Sequence, residues 1–320
     1  YGLPAKSYTD EKFWKKECDT VFNNNWLFVG FVHELKKPGD VVPISIADKP
    51  ILLIKNNDNI ITAFHNVCSH RCLKLINERQ NVGKIIRCPY HAWSYDLEGK
   101  LKAAPHVGGK NQHKPKCFNF LDHGLKPIRI HVWHDWIFIN LNGKAKKFED
   151  YAKPLIKRFN DIDLSKLRYV ATLDFGKINS NWKFLIENFI EPYHVEFVHK
   201  TTTNQPLKDH YIIVDGICNG SGVDVKKEDN KNENALAMLG KLYLENSNYQ
   251  LAIKSFTKLI ENDFQYQRCS FLHLTFQITN NANKWFLQKF YIWETRVSEK
   301  KLFMLFIGVS NSANHNRGLL

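Results

Sequence analysis

The sequence of 320 residues, 43% of them hydrophobic, is long enough to bury two hydrophobic cores. Its net charge of +13 is spread over isolated lysines, and without a basic stripe we expect no nucleic-acid partner. No apolar run reaches the roughly 18 residues of a membrane span, and no N-terminal signal pattern is present, so we expect no membrane association. The seven scattered cysteines indicate a reducing compartment, and we predict a cytoplasmic protein.

The N-terminal part of the chain predicts a short lead-in followed by a β-rich domain. Residues 1–24 form the lead-in, in which an amphipathic helix is expected over 11–22. Short apolar or alternating runs then follow, separated by turn signals such as Pro38-Gly39. These runs predict strands within residues 41–46, 51–54, 60–64 and 131–141. We therefore predict a small antiparallel β domain over residues 25–145.

Two Cys–His pairs in separate loops of this domain form the most informative motif. Cys68 and His70 have C-x-H spacing, and Cys88 and His91 have C-x-x-H spacing. Zinc can bind two cysteines and two histidines, but zinc fingers pair like ligands, Cys with Cys and His with His. A Rieske 2Fe–2S cluster has two cysteines on one iron and two histidines on the other. One ligand of each kind from each loop favours the cluster over zinc.

The remaining residues, 146–320, predict a second domain, which makes the whole chain α+β. Helices are expected over 148–159 and from 181 onward, where Ser180 can act as the N-cap. Residues 200–232 are polar and predict a loop, whereas 169–175 and 270–310 have strand patterns. Residues 233–266 have the register of a tetratricopeptide repeat. Because one repeat cannot bury its own apolar face, we expect a helical insertion there rather than a repeat-based interaction module.

The first long helix of the second domain carries a second set of candidate metal ligands. Glu191 and His194 follow its apolar face, and His199 lies five residues further on. On a straight helix the two imidazoles would diverge by about 140°, and Pro192 provides a break that would let them converge. Two histidines and a carboxylate form the facial triad of non-haem Fe(II). The spacing alone leaves two ordinary polar histidines as the simpler interpretation.

Together, these motifs resemble the oxygenase (alpha) subunits of Rieske non-haem iron oxygenases, of the choline and carnitine monooxygenase type or of the ring-hydroxylating dioxygenase type. The resemblance extends from about residue 10 to at least residue 215. It lies in residues 26–30, 38–40, 68–71, 88–96 and 181–199. It implies a Rieske 2Fe–2S domain followed by a helix-grip-like catalytic domain, in which an antiparallel sheet is flanked by helices.

The resemblance also implies a role for each motif residue. The expected ligands of the 2Fe–2S cluster are Cys68, His70, Cys88 and His91. The expected ligands of a mononuclear Fe(II) are His194 and His199, and Glu191 is the expected inter-subunit electron bridge. The family's third iron ligand is a carboxylate far downstream. We expect it beyond residue 320, in a chain truncated at its C-terminus.

The activity implied by the resemblance is O₂-dependent hydroxylation, or oxidative demethylation, of a small organic substrate. The electrons would come from NAD(P)H through a reductase or a ferredoxin, and the subunits would form a homotrimer or an α3β3 assembly. Three alternatives stay open at this point. The first is a Rieske-type electron-transfer protein, and the second is a truncated, inactive oxygenase that retains its cluster. The third, which the single repeat-like segment disfavours, is a repeat-based interaction protein.

Overall fold

A computed structural model describes residues 2–160, 163–166, 168–173, 180–198, 207–216 and 218–223, together with the backbone of three later strands. The chain divides into two compact units, Tyr1–Tyr151 with Gln277–Phe286, and Ala152–Phe276 with Leu287–Leu320. The domain boundaries expected after residues 24 and 145 stay predictions, and the expected helical insertion over 233–266 lies outside the described residues. No helix in the described part is long and apolar enough to cross a membrane.

Six α-helices and sixteen strands are described. The helices are α1 (Lys6–Thr9), α2 (Glu11–Glu17), α3 (Phe148–Tyr151), α4 (Lys153–Arg158), α5 (Trp182–Ile190) and α6 (Val195–Val198). The first ten strands are β1 (Trp26–Phe31), β2 (Asp40–Ile46), β3 (Lys49–Lys55), β4 (Ile61–His65), β5 (Gln80–Asn81), β6 (Ile86–Arg87), β7 (Ser94–Tyr95), β8 (Leu101–Ala103), β9 (Arg129–Trp133) and β10 (Trp136–Asn140). The later strands are β11 (Arg168–Leu173), β12 (His210–Asp215), β13 (Cys218–Val223), β14 (Arg268–Ile278), β15 (Trp285–Arg296) and β16 (Leu302–Leu305).

The helix predicted over residues 11–22 is confirmed, with a change of pitch halfway. Asp10 caps α2, because its carboxylate accepts the backbone N–H groups of Lys12 and Phe13. The helix then continues as a π-helix over Cys18–Phe22. Its buried side chains recur at helical spacing and form one apolar face, which comprises Trp14, Cys18, Val21 and Phe22.

Three small sheets build the first unit, as the short alternating runs predict. Their strand orders are β1-β10-β9, β4-β3-β2-β5 and β6-β7-β8, and all of the pairs are antiparallel. The single strand segment predicted over 131–141 is instead a hairpin of β9 and β10. The chain reverses there because His134 adopts the left-handed conformation, with φ of 55°, and Trp133 then pairs with Trp136.

A hydrophobic core lies directly beneath the predicted cluster loops. It includes the sulfur-bearing side chains of Cys68 and Cys88 together with apolar residues from β2, β3, β4, β6, β7 and β8. A Cβ atom placed on Gly99 would come within 2.5 Å of the Phe64 ring, and the φ of Gly99 is +76°. Only glycine therefore combines this turn with this packing without strain.

The second unit contains a six-stranded sheet with the order β11-β15-β14-β16-β13-β12. The pairs β11–β15, β12–β13 and β13–β16 are antiparallel, and β14 and β16 pair in parallel. The strand patterns predicted for 169–175 and 270–310 are therefore confirmed. The loop predicted over 200–232 is wrong in its centre, because β12 and β13 form a hairpin that turns at Gly216, whose φ is +62°.

The helices of this region differ in detail from the prediction. The helix expected over 148–159 is divided into α3 and α4 on either side of Ala152, and a proline occupies the first turn of α4. The cap of α5 is Asn181 and not Ser180, because the Asn181 side chain accepts the backbone N–H of Lys183 at 3.0 Å.

Candidate metal centres

The two loops that carry the Cys–His pairs fold in the same way. In each loop the cysteine carbonyl accepts the N–H of the residue four positions later, Cys72 after Cys68 at 2.9 Å and Ala92 after Cys88 at 3.1 Å. The N–H of each cysteine donates to the carbonyl five positions later, at 2.8 and 2.7 Å. Cys72 and Ala92 both adopt the left-handed conformation, with φ of 54° and 56°. Each loop thus turns tightly around its cysteine.

The four candidate ligands separate into a buried pair and an exposed pair. The Cys68 and Cys88 side chains are buried, at 1% and 3% exposure, and interact with each other. His70 and His91 are exposed, and their ring centroids lie 4.7 Å apart. The His70 ring also stacks on Trp93, at 4.8 Å and 10°. The two sulfurs therefore point into the core, whereas the two imidazoles lie at the surface.

This arrangement fits a two-iron cluster better than a single zinc ion. A single zinc ion needs its four ligands around one point. A Rieske cluster needs no common point, because the cysteines bind one iron and the histidines bind the other. The protonation of His70 is also compatible with metal binding. Partial desolvation of the ring, followed by the charges of His91 and Arg71, lowers the pKa of His70 and favours the neutral imidazole that binds metals.

A hydroxyl network surrounds the Cys68 sulfur. The Tyr95 hydroxyl lies 3.1 Å from Cys68 Sγ and accepts the Ser69 backbone N–H at 3.1 Å. Burial raises the pKa of Cys68, and hydrogen bonds from Tyr95 and the His70 N–H partly oppose that effect. Burial also raises the pKa of Tyr95, which keeps its hydroxyl protonated near neutral pH. This network is not predicted from the sequence, although Tyr95 closely follows the second Cys–His pair.

The second candidate site lies where α5 ends. The helix stops at Ile190, Glu191 is extended with ψ of 128°, and α6 starts at Val195, so the break expected at Pro192 is present. Glu191 Oε1 lies 2.5 Å from His194 Nδ1, and Glu191 Oε2 accepts the Tyr193 N–H at 2.7 Å. The Glu191 carboxylate thus fixes the orientation of the His194 ring.

The structure therefore brings Glu191 and His194 together. His199 lies outside the described residues, so its distance from His194 stays a prediction. Ser221 of β13 donates to the Phe189 carbonyl at 3.4 Å, and this contact ties α5 to the sheet. The helix that leads to Glu191 is thereby fixed at its C-terminal end.

Two protein families match the chain in the expected order. Residues 25–117 match the Rieske [2Fe-2S] domain, and residues 129–256 match the ring hydroxylating alpha subunit (catalytic domain). The first match contains both Cys–His loops, and the second contains the end of α5 and its neighbouring strands.

Curated relatives extend over both regions. The chain is 30% identical over 209 residues to the glycine betaine monooxygenase oxygenase subunit of Chromohalobacter salexigens, covering 65% of this chain and 45% of that protein. It is 31% identical over 209 residues to the large oxygenase component of salicylate 5-hydroxylase from Ralstonia sp, covering 62% and 48%. It is 29% identical over 213 residues to the carnitine monooxygenase oxygenase subunit of Escherichia coli (strain K12), covering 66% and 55%. The chain thus spans about half the length of the curated relatives it matches.

Solved structures share the fold. The apo form of a quaternary ammonium Rieske monooxygenase aligns with a TM-score of 0.64 at 19% identity, covering 93% of this chain and 76% of that one. Naphthalene 1,2-dioxygenase from Rhodococcus sp. aligns with a TM-score of 0.64 at 19% identity, covering 91% and 72%. The predicted fold class is therefore confirmed. With its Rieske domain followed by a catalytic domain of the ring-hydroxylating type, the chain is related to the oxygenase (alpha) subunits of the Rieske non-haem iron oxygenases.

Proposed function

We propose that this chain is the oxygenase component of a Rieske non-haem iron oxygenase. The observation that carries the proposal is the separation of a buried cysteine pair from an exposed histidine pair in two loops of the same geometry. When bound, a 2Fe–2S cluster would supply one-electron transfer, and a mononuclear Fe(II) would supply O₂ activation. The proposed activity is hydroxylation, or oxidative demethylation, of a small organic molecule.

The proposed cluster ligands are the two thiolates of Cys68 and Cys88 and the two imidazoles of His70 and His91. The cysteines lie in the hydrophobic core, which shields their iron from water. The exposed histidines would place the second iron near the surface, where an electron can enter or leave without crossing the core. Stacking on Trp93 holds the His70 ring in one orientation.

The proposed ligands of the mononuclear iron are His194 and His199, with a carboxylate as the third. His194 would bind through Nε2, because its Nδ1 faces Glu191 Oε1 at 2.5 Å. A carboxylate behind a metal-binding imidazole fixes the ring orientation and the tautomer, and it raises the basicity of the metal-binding nitrogen. Glu191 is thus proposed to support the iron site in addition to acting as the bridge.

We further propose that Glu191 links the centres of neighbouring subunits, with His91 of one copy beside Glu191 of the next. Both Glu191 oxygens retain acceptor capacity, since a carboxylate offers about four lone-pair positions. This arrangement would require a head-to-tail homotrimer, alone or as an α3β3 assembly. A reductase or a ferredoxin would supply the electrons from NAD(P)H. The unpaired cysteines among the described residues support a cytoplasmic location.

Quaternary ammonium compounds are the first substrate class to test. Two of the relatives are, by name, monooxygenase subunits for glycine betaine and carnitine, and another is a salicylate 5-hydroxylase component. Aromatic acids are accordingly the second class. If the reconstituted protein with a matching reductase converts neither class, this choice of substrates is wrong. The proposed metal sites are tested by a separate experiment.

The experiment that tests the metal sites is the content of iron and acid-labile sulfide per chain after anaerobic purification and reconstitution with Fe(II). We expect three irons and two sulfides if both sites fill. Cys68→Ser should lose the cluster, whereas Cys72→Ser should keep it, because Cys72 is exposed and its part in the loop is a backbone hydrogen bond. Zinc without sulfide, or the reverse behaviour of the two serine variants, would contradict the proposed ligands.

A further inference from the structure

Two histidine side chains organise the histidine loop, residues 104–118, which connects β8 to the 3-10 turn Phe120–His123. His113 Nδ1 accepts the backbone N–H of His106 at 3.1 Å, and His106 Nδ1 accepts the N–H of Asn111 at 2.9 Å. Both side chains are exposed, and their ring centroids lie 4.6 Å apart. Two imidazole nitrogens therefore act as hydrogen-bond acceptors for the backbone of this loop.

These hydrogen bonds require both rings to be neutral. A neutral imidazole has a hydrogen on one nitrogen and a lone pair on the other, whereas an imidazolium has a hydrogen on both and cannot accept. Because Nδ1 accepts in both rings, the hydrogen of each neutral ring is assigned to Nε2. The lone pair of each ring is then occupied by a backbone N–H. The pair is thus arranged to hold the loop and not to bind a metal ion.

The two hydrogen bonds reach the residues of the loop whose backbone conformation is least favourable. His106 and Asn111 have φ of 57° and 62°, and they are the non-glycine residues of the loop with positive φ. The left-handed region is unfavourable for a residue with a Cβ atom. The imidazole acceptors offset this cost, because they bind the N–H groups of these same two residues. Loss of an acceptor therefore favours a change of backbone conformation.

No carboxylate partner compensates for a proton on either ring. The histidine ion pairs of the described residues are those of His33, His131 and His194. The charged groups within the loop are Lys110, Lys114 and Lys116. The flanking elements, β8 and the 3-10 turn, contact each other and contribute Lys102, Asp122 and His123. Asp122 Oδ2 accepts the Asn119 side-chain amide at 3.0 Å. The core on which the loop packs contributes Cys68, Cys88 and Tyr95. A proton on His106 or His113 thus removes a hydrogen bond and gains no ion pair.

We propose that the histidine loop is a pH-sensitive switch, closed while His106 and His113 are neutral and opened by a proton on either ring. The closed loop binds fewer protons than the open loop, so the closed fraction falls as the pH falls. Imidazole is the side chain whose charge changes between about pH 8 and 5. Val107 follows His106 and packs against the core that contains Cys68 and Cys88. Opening of the loop therefore loosens the cover of this core. The inference goes beyond the proposed function and does not depend on the proposed metal ligands.

The test is hydrogen exchange of the full chain at about pH 8 and about pH 5.5, read at single residues by mass spectrometry. The exchange rates are divided by the intrinsic chemical rate at each pH, which gives the protection of each amide. We expect the protection of the His106 and Asn111 amides to fall about tenfold at the lower pH, since each loses one hydrogen bond. The amides of β3, which lie in buried strand pairs, should keep their protection. Protection of His106 and Asn111 that does not change with pH would overturn the proposal.

Asparagine variants separate the proton from the hydrogen bond. The Oδ1 atom of asparagine can accept in place of Nδ1 and does not titrate. We expect His106→Asn to keep the Asn111 amide protected at both pH values, and His113→Asn to do the same for the His106 amide. His113→Ala, which has no acceptor, should leave the His106 amide unprotected at both.

The matched control is His134→Asn, which replaces another exposed histidine of positive φ, 55°, whose ring accepts no backbone N–H among the described residues. It should retain the pH dependence of the unaltered protein at His106 and Asn111. A tenfold loss of protection that persists in both loop asparagine variants, or that β3 shares, would overturn the proposal, because the titrating groups would then lie elsewhere.

Discussion

Replacing Cys72 by glycine is expected to stabilise the first cluster loop. Cys72 has φ of 54°, in the left-handed region where a Cβ atom costs about 1–2 kcal/mol. Glycine removes this cost but loses about 0.5–1 kcal/mol more conformational entropy on folding. The net gain is about 0.5–1 kcal/mol. The loop hydrogen bond from the residue-72 N–H to the Cys68 carbonyl is retained, because it is made by the backbone.

The assay follows the loss of the visible absorption of the cluster as urea is added. The urea midpoints of the variants are compared, provided that the slope of the unfolding free energy against urea concentration is the same. With a slope of about 2 kcal/mol/M, the expected gain shifts the midpoint upward by a few tenths of a molar. Cys72→Ala is the control, because it removes the exposed thiol and keeps both the Cβ atom and the positive φ. Ala92→Gly should give the same gain in the second loop, where φ is 56°. A Cys72→Gly variant that is no more stable than Cys72→Ala would show that the backbone at position 72 is not strained.

Three further changes test other parts of the molecule. Glu191→Gln should weaken Fe(II) binding at His194 about 10–100-fold, measured by titration against a chelator, with cluster content unchanged as the control. Gly99→Ala should destabilise the protein by about 2–4 kcal/mol in thermal unfolding, since its Cβ would lie 2.5 Å from the Phe64 ring at positive φ. Burial lowers the pKa of His131, so its stabilising contribution is present above about pH 6.5 and is lost as the pH falls through the lowered pKa. The His131 ring stacks on the Phe148 ring, with the centroids 4.2 Å apart. His131→Phe keeps an aromatic ring at this position and should flatten the loss of stability between about pH 7 and 5.

The break after α5 shows what a sequence pattern can predict and what it cannot. Pro192 predicted that the helix would stop, because proline lacks an N–H, and α5 does end at Ile190. Residue type predicts Ser180 as the N-cap of α5, but the Asn181 side chain accepts the capping hydrogen bond from the Lys183 N–H. Serine and asparagine are nearly equal as caps, so only the backbone position decides between them.

The cluster motif was predictable from the sequence because its information is local. The spacing of Cys68 to His70 and of Cys88 to His91 lies within two short loops, and the preference of cysteine and histidine for metals is intrinsic to their chemistry. The order of the two domains was predictable for the same reason, since each domain has its own motif in its own stretch of chain.

Tertiary structure alone decided which distant groups surround each motif. The Tyr95 hydroxyl reaches Cys68 across 27 positions of sequence, and the His123 carbonyl reaches Ser69 across 54. No spacing rule relates such residues, because their approach depends on how two small sheets and the loops between their strands pack around one core. The sequence by itself therefore determined the chemistry that the two loops can perform. The fold determined the hydrogen bonds that surround the two loops, since hydrogen bonds depend on distances that only packing sets.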